Sequence, residues 1–419
     1  MMNPKAGYIL ALLAISALSV TTASASFTPL GIVDGLKVNG SSADGVYIVG
    51  QYIDALGYPI AMRWDITGGA DLEDLGELAT GSVWSEAHAT SGDGSVVVGN
   101  SLVENPNKPN TDLTEAFIWE AGAMTGLGFL EVSKGNDQSV ATAISDDGTV
   151  VAGRSNVSGP NNPRRKVSEA FIWEAGVMTG LGFLAEDGID YHSEALAVSG
   201  DGSVVVGLAS NTDPSDPTNS VDEAFRWEGG AMTGLGFLQN DTSSPRSEAT
   251  GVSYDGSTVI GVSNVDHPDV PDTSVSQAFI WIDGVMTGLG FLSDSPGPYD
   301  SVATAVSADG SVVVGESKLA TGKEAFVWTA ESDEMRSLRS VLEEDLGVDL
   351  TGWTLDMPPV ISSDGETMIA LATNPDGAVE AFVSYVPEPT GGVYAGIALL
   401  VWLNRRRSTR MKRARAAAS

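Results

Sequence analysis

The tetrapeptide Ser-x-Asp-Gly occurs seven times in this chain, with its aspartate at Asp44, Asp93, Asp147, Asp201, Asp255, Asp309 and Asp364. The spacings are 49, 54, 54, 54, 54 and 55 residues, and a fixed period of this size means one supersecondary unit copied and stacked. A second block recurs between the turns. Ala-Phe-Ile-Trp-Glu-Ala-Gly-Val-Met-Thr-Gly-Leu-Gly-Phe-Leu spans residues 170–184, with near copies at 116–130, 224–238 and 278–292 and divergent first halves starting at Ala61, Ala325 and Ala381.

Each unit divides into four strands, here A to D. In the third, 141–145 turns through Asp147-Gly148 into 149–153, and Asp-Gly between apolar runs marks a hairpin because Gly accepts positive φ. Strand C, 170–174, turns through Ala175-Gly176 into strand D, 177–184. Strand B is apolar throughout, as in Val204-Val205-Val206 and Val312-Val313-Val314, which suits a strand covered on both faces. Four antiparallel strands in about 50 residues is the proportion of a propeller blade. Residues 27–33 align with strand D at 178–184, while the last unit stops after strand C at 381–385. A spare strand at one end and a missing one at the other predict a closed ring without edges at the seam. The expected fold is therefore an all-β, seven-bladed β-propeller over 27–385, its N-terminal strand completing the last blade. Unit six is expected to replace strand D with a short helix at 335–346, capped by Ser332 and buried through Leu338, Val341, Leu342 and Leu346.

The Ala-Phe-x-Trp strand, the Gly-containing turn, the Leu-Gly strand and Ser-x-Asp-Gly with its Val-rich strand together resemble the HAF-type extracellular repeat family across 27–385. The resemblance implies an extracellular protein and brings no activity with it.

The two ends read as address labels. Residues 1–26 have a lysine at Lys5, an apolar run from Gly7 to Val20 and a small-residue site, Ala23-Ser24-Ala25, as in a secretory signal peptide. Residues 386–419 hold Val386-Pro387-Glu388-Pro389-Thr390, an apolar run from Gly391 to Leu403, and Arg405-Arg406-Arg407. This order resembles the PEP-CTERM sorting signal. It implies an exosortase-type membrane peptidase as partner, in bacteria that make exopolysaccharide. The 13-residue apolar run is shorter than the roughly 20 residues of a spanning helix, so membrane attachment through this segment is expected before processing rather than permanently. The arginines fit the positive-inside rule and leave the propeller outside the inner membrane. Cell envelope, cell surface or extracellular space is the expected location.

A net charge of −33 excludes a general nucleic-acid binder, and eight of the 22 basic residues lie in the two terminal segments, so the body is more acidic still. With no cysteine there is neither a disulfide nor a thiolate metal site. The seven turn aspartates read as architecture, because an Asp opening a turn accepts backbone N–H bonds. Trp64, Trp119, Trp173, Trp227, Trp281 and Trp328 recur at one strand position and read as blade packing. His88, His192 and His267 have no metal-type spacing. Glu86, Glu194 and Glu248 occupy equivalent places before strand A and offer only a weak route to a carboxylate-pair glycosidase. No cofactor is expected. Calcium has weak candidates in Asp213, Asp216 and Asp222 and in Asp266, Asp269 and Asp272, although prolines interrupt both loops.

The B–C connections of units two to five, residues 100–114, 154–168, 208–222 and 262–276, are long and varied, and long polar loops on a rigid scaffold are where binding usually resides. Arg164-Arg165-Lys166 forms the single basic cluster of the body and is the candidate ligand-binding site, suited to an acidic sugar. The expected function is a non-catalytic surface or matrix protein that binds exopolysaccharide or another envelope polymer through this face. The alternatives are an extracellular glycan hydrolase or lyase on a propeller scaffold and a purely structural surface protein.

Overall fold

The computed structural model describes residues 28–385 except for 32–34, 67–71, 79–83, 106, 109–110, 133–136, 185–190, 215, 217, 239–244, 271–272, 293–296, 298, 346, 356–358, 363–364, 366 and 378. The signal-peptide reading of 1–26 and the sorting motif, Val386 to Pro389 with Arg405 to Arg407, lie outside the described residues.

The described strands form seven antiparallel four-stranded sheets. Six are blades continuous in sequence. Blade three, for example, consists of Ser139–Ile144, Val150–Gly159, Asn162–Glu174 and Val177–Gly182, paired in that order. The expected count of seven blades is corrected to six, because the remaining sheet is not a further sequence-continuous copy of this unit. Its innermost strand is only Val360–Ile361, followed by Thr367–Thr373 and Val379–Tyr385, and its outer strand, Thr28–Gly31, comes from the other end of the chain. The molecule is thus a six-bladed propeller of sequence-continuous blades, closed into a ring by one composite sheet. Thr28 lies opposite Val383 and Gly31 opposite Ala381, so the two chain ends meet in the seam.

The helical reading of unit six is also corrected. Strand D survives there as Glu334–Ser337, with Met335 opposite Trp328. The helix starts only at Leu338, runs to Ser340 and continues as a π-turn, Val341–Asp345. Its N-cap is Ser337, whose hydroxyl accepts the Ser340 N–H; Ser332 instead bonds to Thr329. A paired strand satisfies backbone groups that a longer helix would have left without a ladder. Leu338 and Leu342 are fully buried with Val314, Val327, Leu350 and Leu355.

The recurring residues explain the recurring geometry. In each described Ser-x-Asp-Gly turn the serine and aspartate close the hairpin between them. Ser145 Oγ donates to Asp147 Oδ1 at 2.7 Å and accepts the Val150 N–H at 3.0 Å, while Asp147 Oδ1 accepts the Thr149 N–H at 3.0 Å. These hydrogen bonds hold the carboxyls of Asp93, Asp147 and Asp255 below their ordinary range, the residue two positions on contributing most in Asp93 and Asp255 and the turn serine most in Asp147. Neighbouring A–B turns are hydrogen-bonded to one another from blade one to blade six: Gly92 accepts from Ala43, Asp146 from Gly92, Gly200 from Asp146, Tyr254 from Asp201 and Ala308 from Tyr254. They form one collar around one face of the ring.

A second serine fastens blade to blade. Ser193 Oγ, at the start of strand A in blade four, donates to Gly182 O at 2.7 Å and accepts the Ala170 N–H at 2.9 Å, both in blade three. Ser85, Ser139, Ser247 and Ser301 make the same pair of bonds. Between the sheets lie the fully buried rings of Phe117, Phe171, Phe225, Phe279, Phe326 and Phe382. Strand A carries a bulge in each continuous blade from two to six, and the strand B residue facing it must be glycine. A Cβ on Gly153 would stand 2.0 Å from the Val140 carbonyl oxygen.

Candidate binding groove on the hairpin face

The ring has two unlike faces. The A–B and C–D turns share one, since Glu174 and Val177 of the C–D turn pair beside Val150 at the start of strand B. The B–C hairpins and the D-to-A connections share the other. On this second face the long B–C segments are not the loops expected from sequence. Strands B and C extend through most of them, leaving connections of only 105–111, 213–219 and 267–273 in blades two, four and five. In blade three the hairpin is nearly all strand, with Gly159 opposite Asn162. Residues Ser155, Asn156, Val157 and Ser158 extend the ladder, pairing with Glu169, Ser168, Val167 and Lys166, instead of ending it.

The groove of interest, about 370 Å³, lies between this projecting hairpin and blade four. Arg165, Lys166 and Ser168 line it from strand C of blade three, Tyr191 and His192 from the approach to strand A of blade four, and Asp222 from strand C of blade four. Tyr191 is held by an edge-on contact with Phe183 at 5.3 Å and by the Asn161 amide, which donates to its hydroxyl at 3.2 Å. The basic cluster is therefore divided by the fold. Arg165 and Lys166 face the groove, whereas Arg164 stands exposed on the hairpin outside it.

Lys166 is the electrostatic centre. Its Nζ lies 3.6 Å from Glu131 and 3.7 Å from Asp137, close enough to feel both charges but too far for hydrogen bonds. Glu131 is committed elsewhere: Ser158 donates to it through both its hydroxyl and its N–H, and this, with the nearby Lys166, keeps its carboxyl below the usual range. Among the described residues three buried side-chain polar atoms have no hydrogen-bond partner. Two of them, Lys166 Nζ and Ser168 Oγ, are neighbours on the groove wall; the third is Trp64 Nε1. Lys166 Nζ is therefore ion-paired without a close hydrogen bond, whereas Ser168 Oγ beside it is left unsatisfied, at a cost of about 1–3 kcal/mol.

The remaining candidates are not assembled into sites. Glu194 lies 3.4 Å from Arg154 and 3.7 Å from His192, Glu248 is bonded to Arg246 at 2.8 Å, and Glu86 to Lys37. Burial alone would raise the Glu86 carboxyl, but Lys37, His88 and Asn39 outweigh it and hold it low. Each of these glutamates is engaged by a neighbouring cation rather than paired with another carboxylate. Among the calcium candidates, Asp216 closes its own turn by accepting from Thr218 and Asn219, Asp222 faces Arg246 at 3.6 Å, and Asp269 accepts the Tyr299 hydroxyl at 2.8 Å. Asp213 is buried and Asp266 is exposed at the end of its strand. Asp272 lies outside the described residues. No three His, Cys, Asp or Glu side chains converge among the described residues.

Sequence reasoning missed Tyr191, His192 and Ser168. The available signal was position: Tyr191 and His192 directly precede the blade-fastening serine Ser193; Tyr299 stands at the same place before Ser301, whereas the residues before the other fastening serines are Trp84, Gln138, Arg246 and Asp300 rather than histidine.

No family model and no curated protein matches the chain. Solved structures do share its fold. An oligogalacturonate lyase from Vibrio parahaemolyticus is 11% identical, with 87% of this chain and 98% of the lyase covered and a TM-score of 0.53. A puromycin hydrolase is 14% identical over 87% of this chain and 55% of its own, with a TM-score of 0.50. The β-propeller domain of the Trilobed protease from Pyrococcus furiosus is 9% identical, covered to 88% and 99%, with a TM-score of 0.47. At such identities the likeness shows the propeller scaffold alone.

Proposed function

We propose that this chain is an exported, non-catalytic protein of the cell surface or matrix, which holds an acidic polymer, exopolysaccharide first of all, in the groove between blades three and four. The observation that carries the reading is the pair of buried polar atoms without a hydrogen-bond partner, Lys166 Nζ and Ser168 Oγ, beside Arg165 and an aromatic wall at Tyr191. A carboxylate or sulfate on a sugar supplies an acceptor to the lysine, a ring hydroxyl supplies one to the serine, and the sugar's apolar face suits the tyrosine ring. The terminal segments support export and attachment to the envelope through an exosortase-type peptidase. The engaged glutamates on strand A support binding without hydrolysis, because a glycosidase needs one carboxyl free as acid and a second as base or nucleophile.

Incubating the purified chain with its producer's polysaccharide tests this. Retention of polymer with no new reducing or unsaturated ends is the expected result. Cleavage of the polymer identifies a lyase or hydrolase instead, and absence of both retention and cleavage leaves a purely structural role.

A further inference from the structure

The composite sheet decides where the propeller lets go of its chain. Strand Val379–Tyr385 runs from the hairpin face to the turn face, because Val379 lies opposite Thr373 at the hairpin and Tyr385 opposite Thr367, next to the Ser362 turn. That turn lies on the same face as the collar, between its two ends: a Cβ added to Gly365 would meet Ser307 and Val312 of blade six at 3.3 and 3.4 Å, and one added to Gly45 of blade one would meet Thr367 at 3.1 Å. The N-terminal strand enters beside it, Thr28 being opposite Val383. Both ends of the folded body therefore leave from the turn face, side by side.

We infer that the propeller is presented with its Asp-Gly turn face toward the membrane or other surface to which residues 386–419 attach, and its hairpin face, with the groove, pointing outward. The inference rests on reading those residues as a tether. Five residues, 386–390, separate Tyr385 from the apolar run, and fully extended they reach at most about 18 Å. The nine-residue strands of blades two, four and five make the body about 30 Å deep between faces. A tether shorter than the body is deep cannot lay the far face on its own anchoring surface. Two prolines in those five residues, Pro387 and Pro389, restrict it further. The turn face also carries the collar of carboxylates, which an anionic lipid surface repels, so the body stands off rather than lying flat.

The chain has no cysteine, so single-cysteine variants give site-specific dyes on the full-length protein. Val177 and Val285, each 63% exposed beside a C–D turn, mark the near face; Leu56, 79% exposed, and Val270, 46% exposed, mark hairpin tips. The four variants, V177C, V285C, L56C and V270C, are bound to phosphatidylethanolamine–phosphatidylglycerol vesicles carrying a headgroup acceptor dye, and energy transfer is read after flotation. Transfer several-fold stronger from V177C and V285C than from L56C and V270C is the expected result. Flotation with equal or reversed transfer overturns the orientation while leaving the tether reading in place. Failure to float overturns the tether reading and the proposal with it.

Discussion

The turn face and the hairpin face are built from the same strands, yet one is repeated and the other is not. Around the turn face every described collar aspartate accepts from its turn serine and from the N–H two residues on, both at the same oxygen, Oδ1. On the hairpin face the connections differ in length and residue type, and blade three pushes out the longest hairpin, a nearly continuous two-stranded ribbon bearing Arg164, Arg165 and Lys166. Repetition mostly marks residues satisfied by the fold, Trp64 Nε1 being the exception. The other two atoms without a hydrogen-bond partner, Lys166 Nζ and Ser168 Oγ, fall where the repeat is broken.

The comparison breaks most severely if the ring does not depend on its seam. Deleting residues 27–33 removes the outer strand from Val379–Tyr385, which holds the buried Phe382. At about 1 kcal/mol for each lost ladder bond, with ring closure lost as well, the deletion is expected to remove several kcal/mol. Thermal unfolding followed by circular dichroism should show a large fall in midpoint and a broader transition. An unchanged melt means the collar and the other blades hold without the seam.

Next in size is Ser193→Ala. The change leaves the Ala170 N–H and the Gly182 carbonyl unsatisfied at a buried blade boundary, for an expected loss of about 1–3 kcal/mol in urea denaturation. The double change Arg165→Ala and Lys166→Ala should cost far less stability.

The aspartates and glutamates of the repeat predict opposite pH responses. Because the folded carboxyls of Asp93, Asp147 and Asp255 are held low, their contribution is present above the ordinary aspartate value of 3.8 and is lost as pH falls through the depressed folded values. Glu115 and Glu169 are raised from 4.5 by burial, only partly offset by the Gly128 and Gly182 N–H groups they accept. Their folded forms favour the proton, so stability falls as pH rises from 4.5 through the raised values. Glu169→Gln is expected to flatten that upper limb without loss of fold, as blade five already carries Gln277 in this place. Urea melts at a series of pH values check both limbs, and an acid limb insensitive to Asp147→Asn contradicts the assignment of the turns.

The smallest effect expected is that of Arg164→Ala, which should leave stability unchanged and weaken polymer retention less than Lys166→Ala, because Arg164 stands outside the groove. Equal losses from the two would mean that the polymer lies along the hairpin ribbon rather than in the groove.

What was legible in the sequence was whatever local chemistry enforces. Asp-Gly at fixed spacing fixes hairpins, Val-Val-Val marks a strand covered on both faces, and the offset between residues 27–33 and 381–385 showed where the ring closes. Strand D of unit six was misread because Leu338, Val341 and Leu342 do fall on one helical face; the pairing of Met335 with Trp328, a long-range contact, ends that helix early. The length of the blade-three hairpin was read as loop because polar residues dominate it, and cross-strand pairing overrides composition there. The groove was half legible. Arg165 and Lys166 stood out by charge, whereas the exceptional state of Ser168 and the placing of Tyr191 arise only when two blades meet.

The most direct test of that groove is a calorimetric titration with a uronate polysaccharide such as alginate, at low and at high salt. Wild type, the double variant Arg165→Ala with Lys166→Ala, and a turn-face variant, Glu174→Ala, are compared. Charge-assisted hydrogen bonds contribute about 1.5–3 kcal/mol each, so the double variant is predicted to bind at least roughly tenfold more weakly, and the wild type to weaken with salt. Glu174→Ala should bind as the wild type does. Undiminished binding by the double variant while the domain stays folded, or an effect of Glu174→Ala as large as that of the groove changes, would contradict the assignment of binding to the hairpin face.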